Sequence, residues 1–510
     1  MADEKVAVGT EARFDDVATK EGSVTDLDHL GYKEELIRTR SLYTILFQSL
    51  AIAAVPFGEG TALTSAIIGG GQLAYFVGWI VVCILDQCIA MSLSELASRF
   101  ATSAGPYYWA FQLHRGKGRT ALSFFTGWAF LIGNWTIALS VNFGSASLIA
   151  GTVTIYHPTW YANSWQLLLI FYAFTIGIFF VCAYGNRILP YIDTAASIWN
   201  GLTILIVCIG LSVAAGVGRH SVADTLGYYD TALSGWGGFT FFIGLLPAAY
   251  TFAALGLITS MAEECRDAAV DLPRALSLCI PIAGVAGLFF ILPICATLPP
   301  LKAILNAPAG QALPYVFHVV MGTPGGGLAL MFFIIIIAVF CSISITTAAS
   351  RCTWAFCRDG AVPFHSFWAK VNKDQVPLNA LLLLTGVQML LGLINLGSST
   401  AFTAFASVGT IALAVAYATP VLVSVLEGRR AVSTARFHWP AAVGWTVNLL
   451  AISWVAFQVV LFSMPTSLPV TITSMNWASV VFVGFMAISA IYYALFARKF
   501  YTGPPESDAL

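Results

Sequence analysis

Twelve long apolar segments dominate this chain and constrain its fold more than any other feature. Each holds roughly 20 or more predominantly apolar residues, the length that an α-helix needs to cross a lipid bilayer. Only 10% of the residues are charged, whereas soluble domains carry about 25%, so too little polar surface is available to cover such a chain in water. We therefore predict an all-α polytopic membrane protein with twelve transmembrane helices, numbered spans 1 to 12. The predicted spans are Ser41–Ile68, Leu73–Ala97, Ala121–Ala150, Trp165–Tyr184, Tyr191–Ala215, Phe239–Met261, Ala275–Leu298, Gly327–Phe356, Leu378–Leu396, Ala401–Leu426, Val443–Met464 and Trp477–Phe496.

The basic residues indicate how these spans are oriented. Inserting helices retain Lys- and Arg-rich loops on the cytoplasmic side of the membrane. If the N-terminus is cytoplasmic, all of the 24 Lys and Arg residues except Arg219 and Lys302 lie in cytoplasmic segments or at cytoplasmic span ends. We therefore expect both termini to be cytoplasmic. The expected organisation is a solvated N-terminal tail without an apolar signal region, a core of helices 1 to 10, a pair of helices 11 and 12, and a C-terminal tail, at 1–40, 41–426, 427–497 and 498–510.

Span 1 contains a group of helix-disfavouring residues near its middle. Pro56 lacks the backbone N–H that a helix uses, and Gly58 and Gly60 have low helix propensity. Glu59 places a carboxyl group between the two glycines. One interpretation is a simple proline kink. The second is an unwound segment, which two glycines and an acid favour, and such backbone is tolerated at membrane depth only where protein or a water-filled cavity satisfies it.

Span 6 carries a weaker signal of the same kind. Its segment 246–256 holds Pro247 and Gly256, nine positions apart. Spans 1 and 6 are the first helices of two five-helix blocks, and interrupted helices at matching positions in two halves are typical of inverted-repeat proteins with a binding site at the membrane midplane. We predict that Pro56–Thr61 and Phe252–Gly256 are non-helical and adjacent.

Three stretches resemble the amino acid–polyamine–organocation superfamily, and they look most like its fungal branch of amino acid, γ-aminobutyrate and choline permeases. They lie after spans 2, 6 and 8: Ser94–Trp109 (SELASRFATSAGPYYW), Ser260–Cys265 (SMAEEC) and Arg351–Phe364 (RCTWAFCRDGAVPF), the last followed by Val376-Pro377. The resemblance implies a five-plus-five inverted-repeat core with two extra helices, and proton-coupled uptake. Glu59 stands where other members keep a small glycine-rich break.

The two predicted breaks supply the candidate substrate-binding residues. A charge at the bilayer centre costs about 2.5–3.5 kcal/mol on insertion scales, so we expect Glu59 to contact a substrate ammonium or accept a proton. The alternative is that Glu59 caps free backbone amides. Aromatic residues around a shared cavity could hold an ammonium by cation–π attraction, and Trp199 is a further mid-span aromatic residue. The candidates are Pro56, Phe57, Gly58, Glu59, Gly60, Trp135, Tyr250, Phe252, Ala253 and Gly256.

Other polar residues are candidates for ion coupling and gating. Asp86 lies near the middle of span 2, where a coupling role and a structural pairing are equally open. The resemblance implies that Asn200, Ser344 and Thr347 could lie where relatives bind sodium or place a basic residue. Acidic residues at cytoplasmic span ends are expected to be gate partners of basic residues near the end of span 8. This gate set comprises Glu95, Glu263 or Glu264, Arg351 and Arg358.

A transporter is the leading interpretation of these features, and a channel and a membrane enzyme are the alternatives. A channel would show charged rings or repeated filter loops, and an enzyme would show a nucleophile–base set or clustered metal ligands. The sequence presents none of these patterns. We expect an amino acid or γ-aminobutyrate-like substrate, with choline as the alternative, coupled to a proton, with sodium as the alternative ion. We expect residence in the plasma membrane, no cofactor, no metal, and no nucleic-acid partner, since the net charge is -1.

Overall fold

The computed structural model describes residues 27–307, 310–397, 401–471 and 475–507, with the side chains of 401–403 left aside. Within these ranges twelve helices are long and apolar enough to cross a membrane, and no β-strand is present. The prediction of twelve spans in an all-α membrane protein is confirmed. The observed spans 1 to 12 are Leu42–Thr61, Gln72–Arg99, Arg119–Val153, Ser164–Tyr184, Leu189–Ala214, Gly237–Glu264, Ala268–Thr297, Pro324–Arg358, Leu378–Leu396, Ala404–Leu426, Ala441–Leu461 and Ala478–Leu495.

Span 1 is interrupted, but not at the residues that we predicted. Its helix Leu42–Ala53 ends at Ala54, which has left-handed backbone angles of φ 41° and ψ 53°. A second helix then covers Val55–Thr61, so the prediction that Pro56–Thr61 is non-helical is wrong. The physical reason is that proline is tolerated in the first turn of a helix, where its missing N–H would have no partner in any case. The break therefore precedes the proline.

Span 6 is interrupted in a different way. Its α-helix Leu246–Ala253 ends at a turn at Ala254, and a 3₁₀-helix continues over Leu255–Glu264. Phe252 and Ala253 are therefore α-helical and Leu255 and Gly256 lie in the 3₁₀-helix, so the prediction that Phe252–Gly256 is non-helical is wrong at every residue except Ala254. A 3₁₀ run of ten residues is uncommon because its hydrogen-bond geometry is poor. The change of helix type at Ala254 marks span 6 as a second irregular span.

The spans pack in pairs that repeat between the two five-span blocks. The packing of span 3 on span 10 corresponds to that of span 8 on span 5. In the same way, span 1 on span 7 corresponds to span 6 on span 2, and span 3 on span 4 corresponds to span 8 on span 9. Each pairing maps onto its partner when spans 1–5 are exchanged for spans 6–10. Because each block has an odd number of spans, the first spans of the blocks cross the membrane in opposite directions. This is the five-plus-five inverted repeat, and spans 11 and 12 pack outside it against spans 2, 10 and 3.

Both chain ends pack against one end of the bundle. Leu27, Leu30, Tyr32 and Leu36 are buried, and Ser507 donates a hydrogen bond to the carbonyl of His29. Residues 27–40 are therefore solvated only in part, because Leu27, Leu30, Tyr32 and Leu36 pack on the bundle while most of the residues between them are exposed. Residues 1–26 lie outside the described part of the chain. The described ends of the chain, near His29 and Ser507, consequently lie on the same side of the bundle.

Candidate functional site

Glu59 is enclosed between the two interrupted spans. Its side chain is 1% exposed, and its Oε1 accepts a hydrogen bond from the Thr251 hydroxyl of span 6 at 3.4 Å. Tyr75 of span 2 and Cys295 of span 7 lie close to the same carboxyl. Among the described residues neither Glu59 Oε2 nor the Tyr75 hydroxyl makes a hydrogen bond of ordinary length, although the Tyr75 hydroxyl lies near enough to the Glu59 carboxyl to act as a second, long donor. A buried carboxyl without a cation and with only weak donors is an unsatisfied group that a ligand or a proton can complete.

The glycines beside Glu59 permit close packing of the two interrupted spans. A Cβ on Gly58 would overlap the side chain of Thr251, and a Cβ on Gly60 would lie 2.5 Å from Leu313 Cδ2. Leu313 belongs to the short helix Ala312–Met321 between spans 7 and 8. The prediction that the two irregular spans are adjacent is therefore confirmed. Gly58 and Gly60 do not break the helix Val55–Thr61, however; they lie within it and allow Thr251 and Leu313 to pack closely against it.

The aromatic candidates do not form one cage. Phe57 is buried in span 1, and the Tyr250 hydroxyl lies 3.0 Å from Ser140 Oγ of span 3. Phe252 packs on Trp79 of span 2 with ring centroids 5.1 Å apart. Two further candidates donate hydrogen bonds from their indole N–H groups to residues of span 8. Trp135 donates to the hydroxyl of Thr353, and Trp199 donates to the carbonyl of Phe333.

Asp86 lies away from Glu59 and is held by span 11. Trp454 Nε1 donates to Asp86 Oδ1 at 2.7 Å, and Gln458 Nε2 donates to the same oxygen at 3.2 Å. Asp86 lines a small cavity together with the candidate residues Ala253 and Gly256 of span 6. The structure thus connects Asp86 to the irregular part of span 6 through a cavity.

The three remaining ion candidates make separate contacts. Ser344 donates to Asp193 of span 5 at 2.6 Å, and the Thr347 hydroxyl lies 3.5 Å from Cys182 Sγ. Asn200 is buried, and its side-chain oxygen has no hydrogen-bond partner among the described residues. Through Asp193, Ser344 is connected to a network of ion pairs.

That network joins four elements at one end of the bundle. Arg40, which precedes span 1, contacts Asp193 at 2.8 Å and Glu264 at 3.2 Å. Arg351 at the end of span 8 contacts Glu264 at 2.8 Å and Asn186 at 2.8 Å. Burial acts to lower the pKa of Arg40, but the facing carboxylates outweigh it and raise that pKa above its usual range. The predicted pairing of Glu264 with Arg351 is present.

A second cluster lies beside this network. Arg358 contacts Glu263 at 2.9 Å and stacks over the Tyr32 ring at 3.9 Å. Asp359 accepts hydrogen bonds from Tyr107 at 2.6 Å and Tyr32 at 2.8 Å. Burial raises the pKa of Asp359 above its ordinary value, and Arg358 and the two hydroxyls oppose that shift.

Glu95 does not pair with either of the predicted arginines. It binds Arg429 through both carboxylate oxygens at 2.6 and 2.7 Å, and it accepts a hydrogen bond from the backbone N–H of Trp439. The predicted gate pairing of Glu95 is therefore wrong. The loop between spans 10 and 11 lies directly over this end of span 2 and supplies the nearer cation.

Sequence reasoning missed several residues of these sites, and Ala54, Thr251, Arg40 and Asp193 illustrate why. Ala54 and Thr251 are ordinary span residues with no sequence signal of their own. Arg40 and Asp193 had a weak signal, since each is a charge at the edge of an apolar segment. Their pairing joins positions 153 residues apart in the sequence, and only the fold brings them together.

Comparison with known proteins agrees with this architecture. A family model described as amino acid permease matches residues 40–486. The chain is 31% identical to the amino-acid permease BAT1 of Arabidopsis thaliana, over 94% of this chain and 95% of that relative. It is 32% identical to a BAT1 homolog of Oryza sativa over 94% of each chain. It is 28% identical to a choline transporter of Saccharomyces cerevisiae, over 93% of this chain and 84% of that protein. The chain is a transporter rather than an enzyme, and it belongs to the amino acid permease family.

Proposed function

We propose that this protein is a secondary active transporter that imports a small amine-bearing solute together with protons by alternating access. An amino acid or a γ-aminobutyrate-like compound is the first candidate. The observation that carries the proposal is the unsatisfied carboxyl of Glu59 between the two interrupted spans. An ammonium group supplies both the positive charge and the N–H donors that this carboxyl lacks.

The ends of the interrupted helices support the same substrate chemistry. The helices Leu42–Ala53 and Leu246–Ala253 end at the breaks at Ala54 and Ala254. The last carbonyls of a helix have no intrahelical donors and carry partial negative charge. A solute with a positive end is therefore favoured near both breaks, and Glu59 adds a full charge when it is ionised.

Uptake into proteoliposomes tests this function. Purified protein is reconstituted, and uptake of radiolabelled alanine, γ-aminobutyrate and choline is measured in sodium-free and in sodium-containing buffer, each with and without an inward pH gradient. We expect saturable uptake of one of these solutes that the gradient accelerates and a protonophore abolishes. Uptake that needs sodium and ignores the protonophore would contradict proton coupling. Non-saturable flux that follows the membrane potential alone would indicate a channel.

Choline is the second candidate, and a specific contact favours it. A quaternary ammonium offers no N–H donor, so aromatic faces and a carboxylate must hold it. Phe252 and Trp79 pack together next to the irregular segment of span 6, and Glu59 lies on the neighbouring span. Choline that inhibits alanine uptake competitively, and that is itself accumulated, would favour this substrate.

We also propose that the two ion-pair clusters form the cytoplasmic gate. Glu264–Arg351 and Glu263–Arg358 join the ends of spans 6 and 8, so the movement of either span requires that these buried pairs separate. Cys265 is buried beside them. In a variant that keeps Cys265 as its single cysteine, Arg351→Ala should increase alkylation of Cys265 by a hydrophilic maleimide several-fold. An unchanged alkylation rate would argue against a gate.

The loops and the described chain ends support a proposal for the orientation in the membrane. Both described chain ends pack on the side of the bundle that holds the basic loops, and such loops stay in the cytoplasm during insertion. We propose cytoplasmic termini and residence in the plasma membrane. Epitope tags at both ends should be inaccessible to antibody in intact cells and accessible after permeabilisation; labelling of intact cells would reverse this orientation.

A further inference from the structure

Asp86 is a buried carboxyl that the substrate site does not use. Its side chain is 5% exposed, and both of its hydrogen-bond donors, Trp454 and Gln458 of span 11, bind Oδ1. Among the described residues no donor reaches Oδ2. Asp86 Oδ1 is therefore held by span 11, which lies outside the inverted repeat, whereas Asp86 Oδ2 can accept a hydrogen bond from a molecule other than the protein.

A cavity beside Asp86 offers room for such a partner. It encloses about 20 Å³ between spans 2, 6, 10 and 11, with Asp86, Gly256 and Tyr417 among its lining residues. A volume of roughly 10–15 Å³ suffices for one water molecule. Tyr417 is 4% exposed, and its hydroxyl, which lies beside the backbone N–H of Gly256, donates to no group in the described part of the chain. A water molecule here would satisfy Asp86 Oδ2 and the Tyr417 hydroxyl together.

The proposed transport reaction requires a second protonatable group. When Glu59 binds a substrate ammonium it must be ionised, so it cannot carry a proton at the same time. A symporter therefore needs another group that stays protonated while substrate is bound. Asp86 is suited to this task because it is 5% exposed and no Lys or Arg lines its cavity to hold it permanently in the ionised form. The titratable groups around it are Cys83 and Cys88 of its own span and Tyr417 of span 10.

We propose that Asp86 is the carboxyl that carries the co-transported proton, which it exchanges with a water molecule in the cavity between spans 2, 6, 10 and 11. In this step the O–H bond of the carboxylic acid breaks, the proton passes to the water, and the remaining carboxylate keeps the N–H donors of Trp454 and Gln458. Gly256 in the 3₁₀ segment of span 6 forms the opposite wall. Movement of span 6 therefore changes the access of water to Asp86, which links proton release to the substrate cycle. The inference rests on the proposed transport function.

Infrared difference spectroscopy tests the proton site without any substrate. Spectra of purified protein at acid and alkaline pH report each carboxyl that loses a proton through the C=O stretching band of the acid form. We expect one such band to disappear in Asp86→Asn and to persist in Glu59→Gln. An identical band pattern in Asp86→Asn and the wild type would overturn the proposal, whatever the outcome of the transport assays.

The position of the band on the pH axis provides a second test. Trp454→Phe removes one donor to the carboxylate while retaining an aromatic ring, so Asp86 should keep its proton to higher pH. Trp445→Phe on the same span is the matched control, because Trp445 is 38% exposed and lies outside the cavity. A midpoint that moves only in Trp454→Phe supports the site. Equal midpoints in both variants would contradict it.

Transport then separates coupling from substrate binding. In proteoliposomes containing a pH-sensitive dye, proton entry and counterflow exchange are measured with radiolabelled alanine, γ-aminobutyrate and choline. For Asp86→Asn we expect the ratio of gradient-driven uptake to counterflow exchange to fall at least tenfold. An unchanged ratio would overturn the coupling role. Absence of counterflow for all three solutes in the wild type would instead contradict the proposed function, and the infrared result would still decide whether Asp86 is a proton site.

Discussion

The carboxyl of Glu59 in span 1 accepts a hydrogen bond from the hydroxyl of Thr251 in span 6 at 3.4 Å. This contact joins the two irregular spans at a point where Gly58 has no side chain, so Thr251 lies directly against the backbone of span 1. A ligand that binds Glu59 therefore contacts both halves of the inverted repeat at once. Its binding can bias the relative position of the two halves, which is what alternating access requires.

Glu59→Gln should weaken binding of the amine-bearing substrate by more than tenfold, which corresponds to about 1.4 kcal/mol or more. The amide keeps the size of the side chain but removes the charge that faces the ammonium. Binding should be measured directly by scintillation proximity as well as by uptake, because loss of a coupling group can block transport and leave affinity intact. Glu427→Gln, at an exposed position, is the control, and equal affinity in both variants would count against Glu59 as a ligand.

Gly58→Ala should destabilise the protein. The new methyl group would overlap Thr251, whose Cβ and Cα lie 3.2 and 3.3 Å from the Cβ position. Overpacking of this kind costs about 1–3 kcal/mol, which exceeds the gain of about 1 kcal/mol in helix propensity. Thermal unfolding in detergent should show a lower midpoint for Gly58→Ala.

Gly177→Ala is the matched control for that variant. Gly177 lies within span 4, and no atom is found within 4 Å of its Cβ position. The thermal unfolding midpoint of Gly177→Ala should equal or exceed that of the wild type, because this substitution raises helix propensity without causing a steric clash. A lower midpoint in both variants would mean that glycine itself, and not the approach to Thr251, determines stability.

Arg351→Ala should cost far more stability than removal of an exposed arginine. Arg351 is fully buried and its loss leaves Glu264 with a single cation, Arg40. Breaking a buried pair typically costs about 3–5 kcal/mol. Arg119 forms a pair with Glu506 in which the two side chains are 40% and 68% exposed, and such surface pairs contribute about 0–1 kcal/mol. Similar unfolding midpoints for Arg351→Ala and Arg119→Ala would contradict a structural role for the network.

The sequence predicts the number of spans well, because the length of an apolar segment is a direct physical requirement of the bilayer. It also identifies spans 1 and 6 as the irregular ones. It does not locate the breaks, which fall at Ala54 and Ala254. Alanine carries no breaking signal, and its left-handed geometry at Ala54 is imposed by the packing of the flanking helices.

Side-chain partners are predicted less well than spans. Glu264 and Arg351 each lie close to the end of a span on the same side of the membrane, so their pairing could be anticipated. Glu95 lies at a comparable depth but binds Arg429, which follows it by 334 positions. Charge and depth alone admit several arginines, and only the position of the loop between spans 10 and 11 selects one of them.

Tyr32→Phe should release the segment that precedes span 1. The Tyr32 hydroxyl donates to Asp359, and the Tyr32 ring lies under Arg358. The variant keeps the ring but leaves a buried carboxylate with one donor fewer, at a cost of about 1–3 kcal/mol. Limited proteolysis should cleave the segment before Arg40 at least several-fold faster than in the wild type. Tyr43→Phe is the control, since Tyr43 is 68% exposed on the outside of the protein. If cleavage rates are the same in both variants, the hydrogen bond to Asp359 does not hold this segment, and the apolar contacts of Leu30 and Leu36 are sufficient to do so.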